Sequence, residues 1–430
     1  MRVTPPLRGA SLGRIFSASA LTHTSTTARS ILSLIASTAI GLSACGGEQP
    51  VPLASIVDSA GVQIVTSARP RWEADDSWLV EEEPSIEIPS DFGDPEHYLL
   101  GAHHVQRMDD GRLLVGNRDP RQLLAFDSLG GFLGPIGRPG QGPGETERVF
   151  GLFSCAADTI VVDEGSRISI WDSDFNFVRT ERTAGRLLDS GNNIRAVSDD
   201  CSAGLFPDLA YEPPSAGQGA VRLSASLHWA TLDGLSRDTV AEFLGVELYP
   251  WTINGESTGT RLPFGKDAVW ATFEDQTHLG LQDDFEIQTY GRRGRLLRIA
   301  RWEAAHQLVT DDDIDFFADG LRRRNEQYPE EAFIYAPADH FRFPSLKPTY
   351  SRLLTDDEGN LWVQQYGPYN PYEPETDPDW WVFDSAGQWL GEVVMPPGLA
   401  VITIQDGFVI GRVLDELDVE AIRLHRIDKR

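Results

Sequence analysis

Short runs of alternating apolar and polar residues, separated by turn residues, extend along most of this chain. Three nine-residue segments at 125–133, 170–178 and 382–390 align without gaps. Each contains an aromatic residue, Asp-Ser, three turn residues, a second aromatic residue and an aliphatic residue. An Asp side chain that starts a turn between two apolar runs is typical of a strand, a tight turn and a returning strand. The pattern therefore predicts a β-hairpin that recurs along the chain.

A second turn precedes this hairpin in several copies. An acidic residue followed by Gly stands before a strand at 110–111, 358–359 and 406–407, and Gly at such a turn accepts a positive φ without steric cost. Cys201 and residues 156–157 occupy the same place in two further copies. The complete unit is a meander of four antiparallel strands, with copies that start near 105, 150, 194, 268, 350 and 401.

The repeat predicts the fold class. The first two spacings between copies are about 45 residues, which matches one blade of a β-propeller. Because one meander cannot bury both faces but several packed radially can, we expect an all-β, six-bladed β-propeller of four-stranded antiparallel blades. A β-sandwich with coincidental turns is the alternative. The strand at 61–65 has no blade before it, so we expect it to complete the last blade, 401–424, and close the ring.

The expected propeller resembles a known family. Residues 114–117, 124–127 and the Gly- and Pro-rich passage 136–145 are similar to those of NHL-like six-bladed β-propeller proteins found among bacterial lipoproteins. The resemblance covers 59–430 and implies the fold, but most members of that family have no assigned activity. Residues 184–260 and 301–345 depart from the regular spacing, so the blade boundaries there stay open.

One segment has the periodicity of a helix. Thr310 and Asp313 form the pattern of a capping box, and Ile314, Phe317 and Leu321 give an apolar stripe along one face. We therefore predict a helical insertion near 310–328 that ends before Pro329. It could cover the propeller channel as a lid, or it could pack on the side of the ring.

A long insertion at 366–381 interrupts the fifth blade. Tyr366, Tyr369 and Tyr372 recur every three residues among prolines, which suits a polyproline-like stretch with three residues per turn. Such a loop could stack on a sugar or a peptide, so the three tyrosines form a candidate ligand-binding loop; the alternative is a loop without a ligand. The residue pair 380–381, Trp-Trp, starts the next strand and is expected to pack between blades.

The first 44 residues differ in composition from the rest of the chain. They contain four arginines and no acidic residue, and a short apolar run ends at Leu-Ser-Ala just before Cys45. The run is shorter than the roughly 20 residues that span a bilayer and has the form of a signal peptide. Residues 42–45 resemble the lipobox of bacterial lipoproteins, in which Cys45 would be lipidated. A transit peptide or an uncleaved anchor is the alternative. We expect a lipoprotein signal peptide at 1–44, a tether at 45–58 and a β-propeller domain at 59–430.

The charge balance excludes several classes of partner. The chain has 65 Asp and Glu against 37 Lys and Arg, a net charge of −28, and without residues 1–44 the 33 remaining basic residues give −32. So acidic a surface does not suit the phosphate backbone of a nucleic acid or an anionic lipid surface. We therefore expect that the protein contacts the membrane through its lipid anchor only. From the lipobox we expect a location in the bacterial cell envelope, on the outer membrane or the periplasmic face, and we expect a monomer.

Two cysteines remain outside the leader. Cys155 and Cys201 fall at the first hairpin of neighbouring blades, and an oxidising compartment permits a disulfide between them. Two buried free thiols are the alternative.

Three motifs that resemble catalytic or binding sites are interpreted as structural: 255–259 and 172–176 as turns, and 137–144 as a connection between blades. Residues 255–259 match G-x-S-x-G, but Pro263 follows too soon for the helix that a nucleophile elbow requires. Residues 137–144 lack the Gly-Lys-Ser/Thr of a phosphate loop. Residues 172–176 begin like a calcium loop, but Phe177 and Thr183 occupy the positions of the required Gly and Glu.

A histidine pair precedes the first blade, where strands run beside the channel. Adjacent residues on a strand point to opposite faces, so His103 and His104 cannot both ligate one metal comfortably. One of them could face the channel, and a purely structural role is the alternative.

Two functional hypotheses result. The first is a lipid-anchored, non-enzymatic envelope propeller that binds a peptide, a glycan or a partner protein without a cofactor. The second is a metal-dependent hydrolase or lactonase with Ca²⁺ or Mn²⁺ held by carboxylates at the channel mouth, as in propeller enzymes of the gluconolactonase type. Three or four carboxylates or amides around one point would favour the enzyme. Aromatic residues and scattered acids at the channel mouth would favour binding.

Overall fold

The computed structural model describes residues 52–73, 76–91, 93, 97–118, 121–182, 193–210, 214–215, 218–330, 336–368 and 378–430. Strands dominate these ranges, and the helix α1 covers Asp311–Gln327. In chain order the strands are β1 Ala54–Ser59, β2 Val62–Ser67, β3 Leu79–Val80, β4 Ile86–Pro89, β5 His104–Arg107, β6 Leu113–Asn117, β7 Gln122–Phe126, β8 Phe132–Ile136, β9 Arg138–Pro139, β10 Glu145–Thr146, β11 Gly151–Cys155, β12 Thr159–Asp163, β13 Ile168–Trp171, β14 Phe177–Glu181, β15 Ala196–Val197, β16 Ala203–Leu209, β17 Val221–Thr231, β18 Arg237–Ile253, β19 Glu256–Arg261, β20 Val269–Phe273, β21 Gln276–Gly280, β22 Glu286–Gly291, β23 Leu296–Trp302, β24 Tyr350–Thr355, β25 Leu361–Gln365, β26 Trp380–Phe383, β27 Trp389–Val393, β28 Ala400–Gln405, β29 Phe408–Leu414 and β30 Glu420–Asp428.

Six sheets of four or more strands follow one another along the described part of the chain. Each is built on an antiparallel meander, and a short parallel pair, β9 and β10, lies between the first two. We number them sheet 1 (β5–β8), sheet 2 (β11–β14), sheet 3 (β15–β19), sheet 4 (β20–β23, extended by β2 and β1), sheet 5 (β24–β27) and sheet 6 (β28–β30, extended by β4 and β3). This series of meanders confirms the all-β fold class.

The sheets pack in a ring. Six apolar clusters of buried residues each lie between two successive sheets, and one of them joins sheet 6 to sheet 1 through residues such as Leu424 and Val115. The first strands of neighbouring sheets lie side by side, as β28, β5 and β11 do. Turns at the ends of these strands are also linked, for example by the Arg107 backbone N–H, which donates to Gln405 Oε1 at 3.1 Å. A ring of antiparallel meanders that bury their faces against each other is a β-propeller.

The strand that closes the ring is not the expected one. β4 pairs with β30 in sheet 6, whereas β2, which contains residues 62–65, pairs in parallel with β23 at the edge of sheet 4. The reason lies in the packing, because Ile88 of β4 is 0% exposed in the cluster between sheets 6 and 1. An N-terminal segment does complete the last sheet, but the assignment of that role to 61–65 was wrong.

Regular structure also starts earlier than the expected domain boundary at residue 59. β1 is an antiparallel partner of β2, with Ala54 opposite Ser67 and Ser59 opposite Val62. Residues 54–58, which we expected in the tether, therefore belong to the extended sheet 4. β1 is the edge strand of this sheet, and its backbone groups that face β2 are hydrogen-bonded in this pairing. This is why the strand forms although most of its side chains are exposed.

Both repeated turns form as predicted. Asp127 Oδ1 accepts the backbone N–H of Leu129 and Gly131, and Asp172 and Asp384 make the same pair of contacts in their own hairpins. In the acid-Gly turns, Gly111, Gly359 and Gly407 have φ values of 87°, 78° and 73°. These are left-handed conformations that favour glycine. The repeats in the sequence therefore encode local hydrogen bonds.

The predicted helix has the predicted caps. Thr310 and Asp313 form the reciprocal capping box, and the helix ends at Gln327 with Tyr328 as its C-cap. Phe317 and Leu321 are buried against Leu262, Phe264 and Phe341. The helix thus packs on residues that follow the fifth strand of sheet 3 and on the segment after residue 336. Two long strands, β17 and β18, and the extra strand β19 account for the irregular spacing at 184–260.

Candidate anion-binding site

A cavity of about 520 Å³ opens at one end of the ring, where the first strands of sheets 1, 2 and 3 begin. Residues from three connections meet there: the segment before β5, the segment before β11 and the segment before β15. The β6–β7 connection supplies the fourth wall. The residues that line the cavity are Gly101, His103, His104, Gly116, Asn117, Arg118, Arg121, Arg148, Val149, Phe150, Asn193 and Arg195.

The meander topology explains why these residues converge. Successive strands of a sheet run in opposite directions, so the start of a first strand and the end of a second strand lie at the same end of the ring. His104 starts β5 and pairs with Gly116 near the end of β6. The acid-Gly turns and the Cys155–Cys201 pair are at the other end of the same first strands.

Two buried polar side chains hold the segment before β5 in place. Asn117 Oδ1 accepts the Leu100 N–H at 2.8 Å, and Asn117 Nδ2 donates to the Tyr98 carbonyl at 2.7 Å. Glu420 of β30 accepts the N–H groups of Gly101 and Ala102 at 2.9 and 3.0 Å. The last strand of the chain therefore fixes a wall of the cavity.

Asp163 holds the segment before β15. It is completely buried at the end of β12 and accepts the Ile194 N–H at 2.7 Å and the Gly165 N–H at 2.8 Å. Burial raises the pKa of the Asp163 carboxyl above its usual value, although both hydrogen bonds and the charge of Arg195 oppose the shift. Burial also lowers the pKa of Arg195, and Asp163 opposes that change. The carboxylate lies behind the cavity wall and does not line the cavity.

Two glycines permit close packing at the cavity. A Cβ atom on Gly116 would lie 2.8 Å from Val149 Cγ1, and one on Gly101 would lie 2.8 Å from the Arg118 side chain. Gly101 also has a φ of 69°. A larger residue at either position would push Val149 or Arg118 out of place.

The cavity is cationic although the chain is strongly acidic. Four guanidinium groups, those of Arg118, Arg121, Arg148 and Arg195, line it, and none of its lining residues in the described part of the chain is acidic. None of the four forms an ion pair of 4.0 Å or less with a carboxylate of the described residues. By contrast, Arg107 and Arg167 elsewhere in the ring are paired with Asp406 and Glu164. Positive charge is therefore concentrated in the cavity, and no carboxylate from the part of the chain that the structure describes compensates it at hydrogen-bonding distance.

His104 is a neutral group in this cationic setting. Burial, together with the positive charges of His103, Arg195 and Arg352, lowers the pKa of His104 to about 4. Arg352 itself is held by the backbone carbonyls of Val401 and Ile402. At neutral pH the imidazole of His104 therefore offers one hydrogen-bond donor and one acceptor and carries no charge.

The lining of this cavity differs from both linings that we expected at the channel mouth. Arginine and histidine line the cavity, where we expected either clustered carboxylates or aromatic residues with scattered acids. Within the described ranges, no group of three or more His, Cys, Asp and Glu side chains is placed to share a metal ion. The histidine pair was recognised from the sequence, and the structure places both members at the cavity. The arginines were missed, although Arg148 and Arg195 each stand just before the first strand of a repeat, which is a signal that the sequence does contain.

The structure describes only part of the candidate ligand-binding loop that contains the three tyrosines. Tyr366 packs with Tyr249, Trp251 and Phe341 near α1, whereas Tyr369 and Tyr372 lie outside the described residues. A second cavity of about 620 Å³ is lined by Tyr249, Trp251 and Phe341 of this group, without Tyr366, and by polar residues such as Asp339. His340 sits between the rings of Tyr249 and Trp251 and contacts the Pro250 carbonyl at 2.7 Å.

The remaining sequence candidates have structural roles in the described chain. Ser257 lies within β19, and its hydroxyl donates to the Pro214 carbonyl at 3.1 Å, so no nucleophile elbow is present at this serine. Trp380 and Trp381 start β26 and pack in the two different clusters on either side of sheet 5, as expected. Cys155 and Cys201 form a disulfide that joins sheets 2 and 3, with their Cα atoms 5.7 Å apart. Cys45, the expected lipidation site, lies outside the described residues.

No protein-family model matches this chain, and no curated protein matches it. Among solved structures it is similar to a member of the DUF4221 family from Bacteroides vulgatus, with 12% identity and a TM-score of 0.48 over 83% of this chain and 99% of that chain. It is also similar to a gluconolactonase from Xanthomonas campestris, with 14% identity and a TM-score of 0.34 over 81% of this chain and 100% of that chain. A virginiamycin B lyase from Staphylococcus aureus gives 10% identity and a TM-score of 0.38 over 81% and 99%. Among the described residues, no helix is both long enough and apolar enough to span a membrane.

Proposed function

We propose that this protein is a non-enzymatic, six-bladed β-propeller of the bacterial cell envelope that binds an anionic ligand in the cavity at one end of its ring. The observation that carries the proposal is the group of four arginines around one cavity whose described lining residues include no acidic side chain. The ligand is a free small molecule or the anionic group of a glycan, a peptide or a partner protein.

Arginine suits such a ligand for a physical reason. Its planar guanidinium has five N–H donors that match the two oxygens of a carboxylate or phosphate, and it stays charged at any physiological pH. Because no carboxylate of the described chain pairs with these four groups within 4.0 Å, their mutual repulsion is relieved when an anion binds. That gain favours the bound state over the empty cavity.

The charge of the whole chain limits the size of the ligand. A net charge of −28 repels a long polyanion, whose charges would lie beside the acidic outer surface. At physiological ionic strength this repulsion is screened within about 8 Å, so a small anion inside the cavity is influenced mainly by the arginines. We therefore propose a compact anion and exclude nucleic acid.

Binding without turnover fits the chemistry of the lining. Among the described residues that line the cavity, none is a carboxylate, Ser or Cys that could act as a nucleophile or acid-base partner, and His104, with a pKa of about 4, is a weak base. The proposed location depends on the leader and on lipidation of Cys45, which would tether a monomer to the membrane by lipid alone.

Calorimetric titration with citrate and pyrophosphate tests the proposal. The Arg148→Gln, Arg195→Gln double variant should bind either probe at least about 100-fold more weakly, because each charge-assisted hydrogen bond contributes about 1.5–3 kcal/mol. Arg69→Gln is the matched control, since Arg69 is exposed in the segment after β2, far along the chain from the cavity residues. It should bind within about twofold of the wild type. Absence of binding by the wild type, or equal binding by the double variant, would refute the proposal.

A further inference from the structure

We propose that the ligand of the cationic cavity is an anionic sugar, that is, a compact molecule with an acid group and several hydroxyls. This inference rests on the proposed function and specifies the class of ligand. It is carried by the neutral polar and apolar groups that stand beside the arginines.

Two neutral side chains in the lining have no hydrogen-bond partner among the described residues. They are His104 and Asn193, and both reach the same cavity as the arginines. By contrast, the amide of Asn117 in the same lining is fully used by the Leu100 N–H and the Tyr98 carbonyl. The partners of His104 and Asn193 must therefore come from the ligand or from water.

These two side chains differ from arginine because they also accept hydrogen bonds. A guanidinium group only donates, whereas a neutral imidazole and a carboxamide each present an acceptor atom as well as a donor. An oxyanion has only acceptor oxygens, so an acceptor of the protein placed against it gains nothing. A hydroxyl group donates and accepts, and it can satisfy His104 or Asn193 next to an acid group that the arginines hold.

The lining also includes an apolar patch. Val149 and Phe150 are half-buried at the cavity, and the Arg148 guanidinium lies 5.9 Å from the centre of the Phe150 ring. A pyranose ring has a face of C–H groups that packs on such a surface, while citrate and inorganic phosphate have none. The cavity therefore combines three surfaces, cationic, neutral polar and apolar, which correspond to the acid group, the hydroxyls and the ring face of an anionic sugar. Its volume falls within the range of small-molecule sites.

A pair of matched probes tests the inference. Glucuronate and cyclohexanecarboxylate have a six-membered ring and one carboxylate, but only glucuronate has hydroxyls. We expect the wild-type protein to bind glucuronate at least about fourfold more tightly, because one neutral hydrogen bond changes affinity by about 2–12-fold and two are available. Glucose, which lacks the acid, should bind much more weakly than either, and glucose 6-phosphate shows whether the acid is a carboxylate or a phosphate.

Variants separate the two proposals. Asn193→Ala and His104→Phe should each bring the ratio of glucuronate to cyclohexanecarboxylate affinity towards one, while Gln63→Ala, at an exposed position of β2, keeps the wild-type ratio. Arg148→Gln should weaken both acids and preserve the ratio. Equal wild-type affinity for the two acids would overturn the sugar inference and leave anion binding intact. Absence of binding for citrate, pyrophosphate and both ring acids would refute the proposed function itself.

Discussion

Glu420 links the closure of the ring to the shape of the cavity, and the Glu420→Gln variant isolates that link. The carboxylate is 5% exposed, accepts the backbone N–H groups of Gly101 and Ala102, and forms an ion pair of 3.1 Å with Arg412. The amide of Gln has almost the same shape but keeps a single acceptor oxygen. Its NH₂ group would face one of the two backbone N–H groups, which would then be buried without a partner.

The magnitude follows from these contacts. Losing one hydrogen bond to a charged group costs about 1.5–3 kcal/mol, and an unsatisfied buried donor costs about 1–3 kcal/mol. Arg412 also loses its charged partner. The variant no longer has to bury a charge at position 420, however, and this gain offsets part of the lost stability. We therefore expect the free energy of unfolding to fall by about 3 kcal/mol. Affinity for citrate should fall about tenfold, since the released segment carries Gly101 at the cavity wall.

Urea unfolding followed by tryptophan fluorescence measures the first effect, and calorimetric titration with citrate measures the second. Glu416→Gln is the matched control, because Glu416 is exposed in the turn before the same strand and this substitution also removes one negative charge. It should differ from the wild type by less than about 0.5 kcal/mol. If Glu420→Gln also stays within that margin and binds citrate normally, Glu420 does not hold the cavity wall.

Four further predictions concern the anchor, the ring and its stability. Cys45→Ala should abolish lipidation and leave the precursor uncut, and a mutant with wild-type mass and detergent partitioning would contradict the lipoprotein hypothesis. Ile88→Ala should lower the free energy of unfolding by about 3 kcal/mol, whereas Val57→Ala in the exposed β1 should change it by less than about 0.5 kcal/mol; equal effects in urea unfolding would argue against closure by β4. Cys155→Ser should remove up to about 4 kcal/mol, because the disulfide closes a loop with a sequence separation of 46, and two alkylatable thiols in non-reducing peptide maps of protein from the oxidising compartment would show that the bond does not form there. The pKa of the fully buried His278 is lowered from 6.5 to about 4. Between these two pH values the histidine is protonated in the unfolded state and neutral in the folded state. Stability should therefore be lost as the pH falls from 6.5 towards 4 and be unaffected above 6.5, by about 2 kcal/mol at pH 5; an unchanged pH slope in His278→Gln would refute this.

Local features of the fold could be predicted from the sequence. The Asp turns at 127, 172 and 384, the acid-Gly turns and the capping box at Thr310 all consist of hydrogen bonds between residues a few positions apart. Such contacts depend on side-chain chemistry and backbone conformation at neighbouring positions, which the sequence displays directly. Their regular spacing was enough to predict the meander and the all-β class.

Partner choice over long distances could not be predicted in the same way. The segments 61–65 and 86–89 both have strand character, and a strand edge offers the same N–H and C=O groups whatever its sequence. β4 and not β2 joins β30, and this depends on the apolar cluster between sheets 6 and 1, in which Ile88 is buried. That cluster exists only when the ring is assembled.

The candidate site depended on tertiary structure for the same reason. By itself the sequence determined the repeated meanders, the turns, the capped helix and an acidic chain with a lipobox-like leader. The ring decided that Arg118, Arg121, Arg148 and Arg195 meet at one cavity, although up to 77 residues separate them in the chain. Each arginine taken alone is an ordinary surface residue near the end of a strand. Their chemistry arises from proximity, because charges interact through space and the curvature of the ring brings the starts of three sheets together.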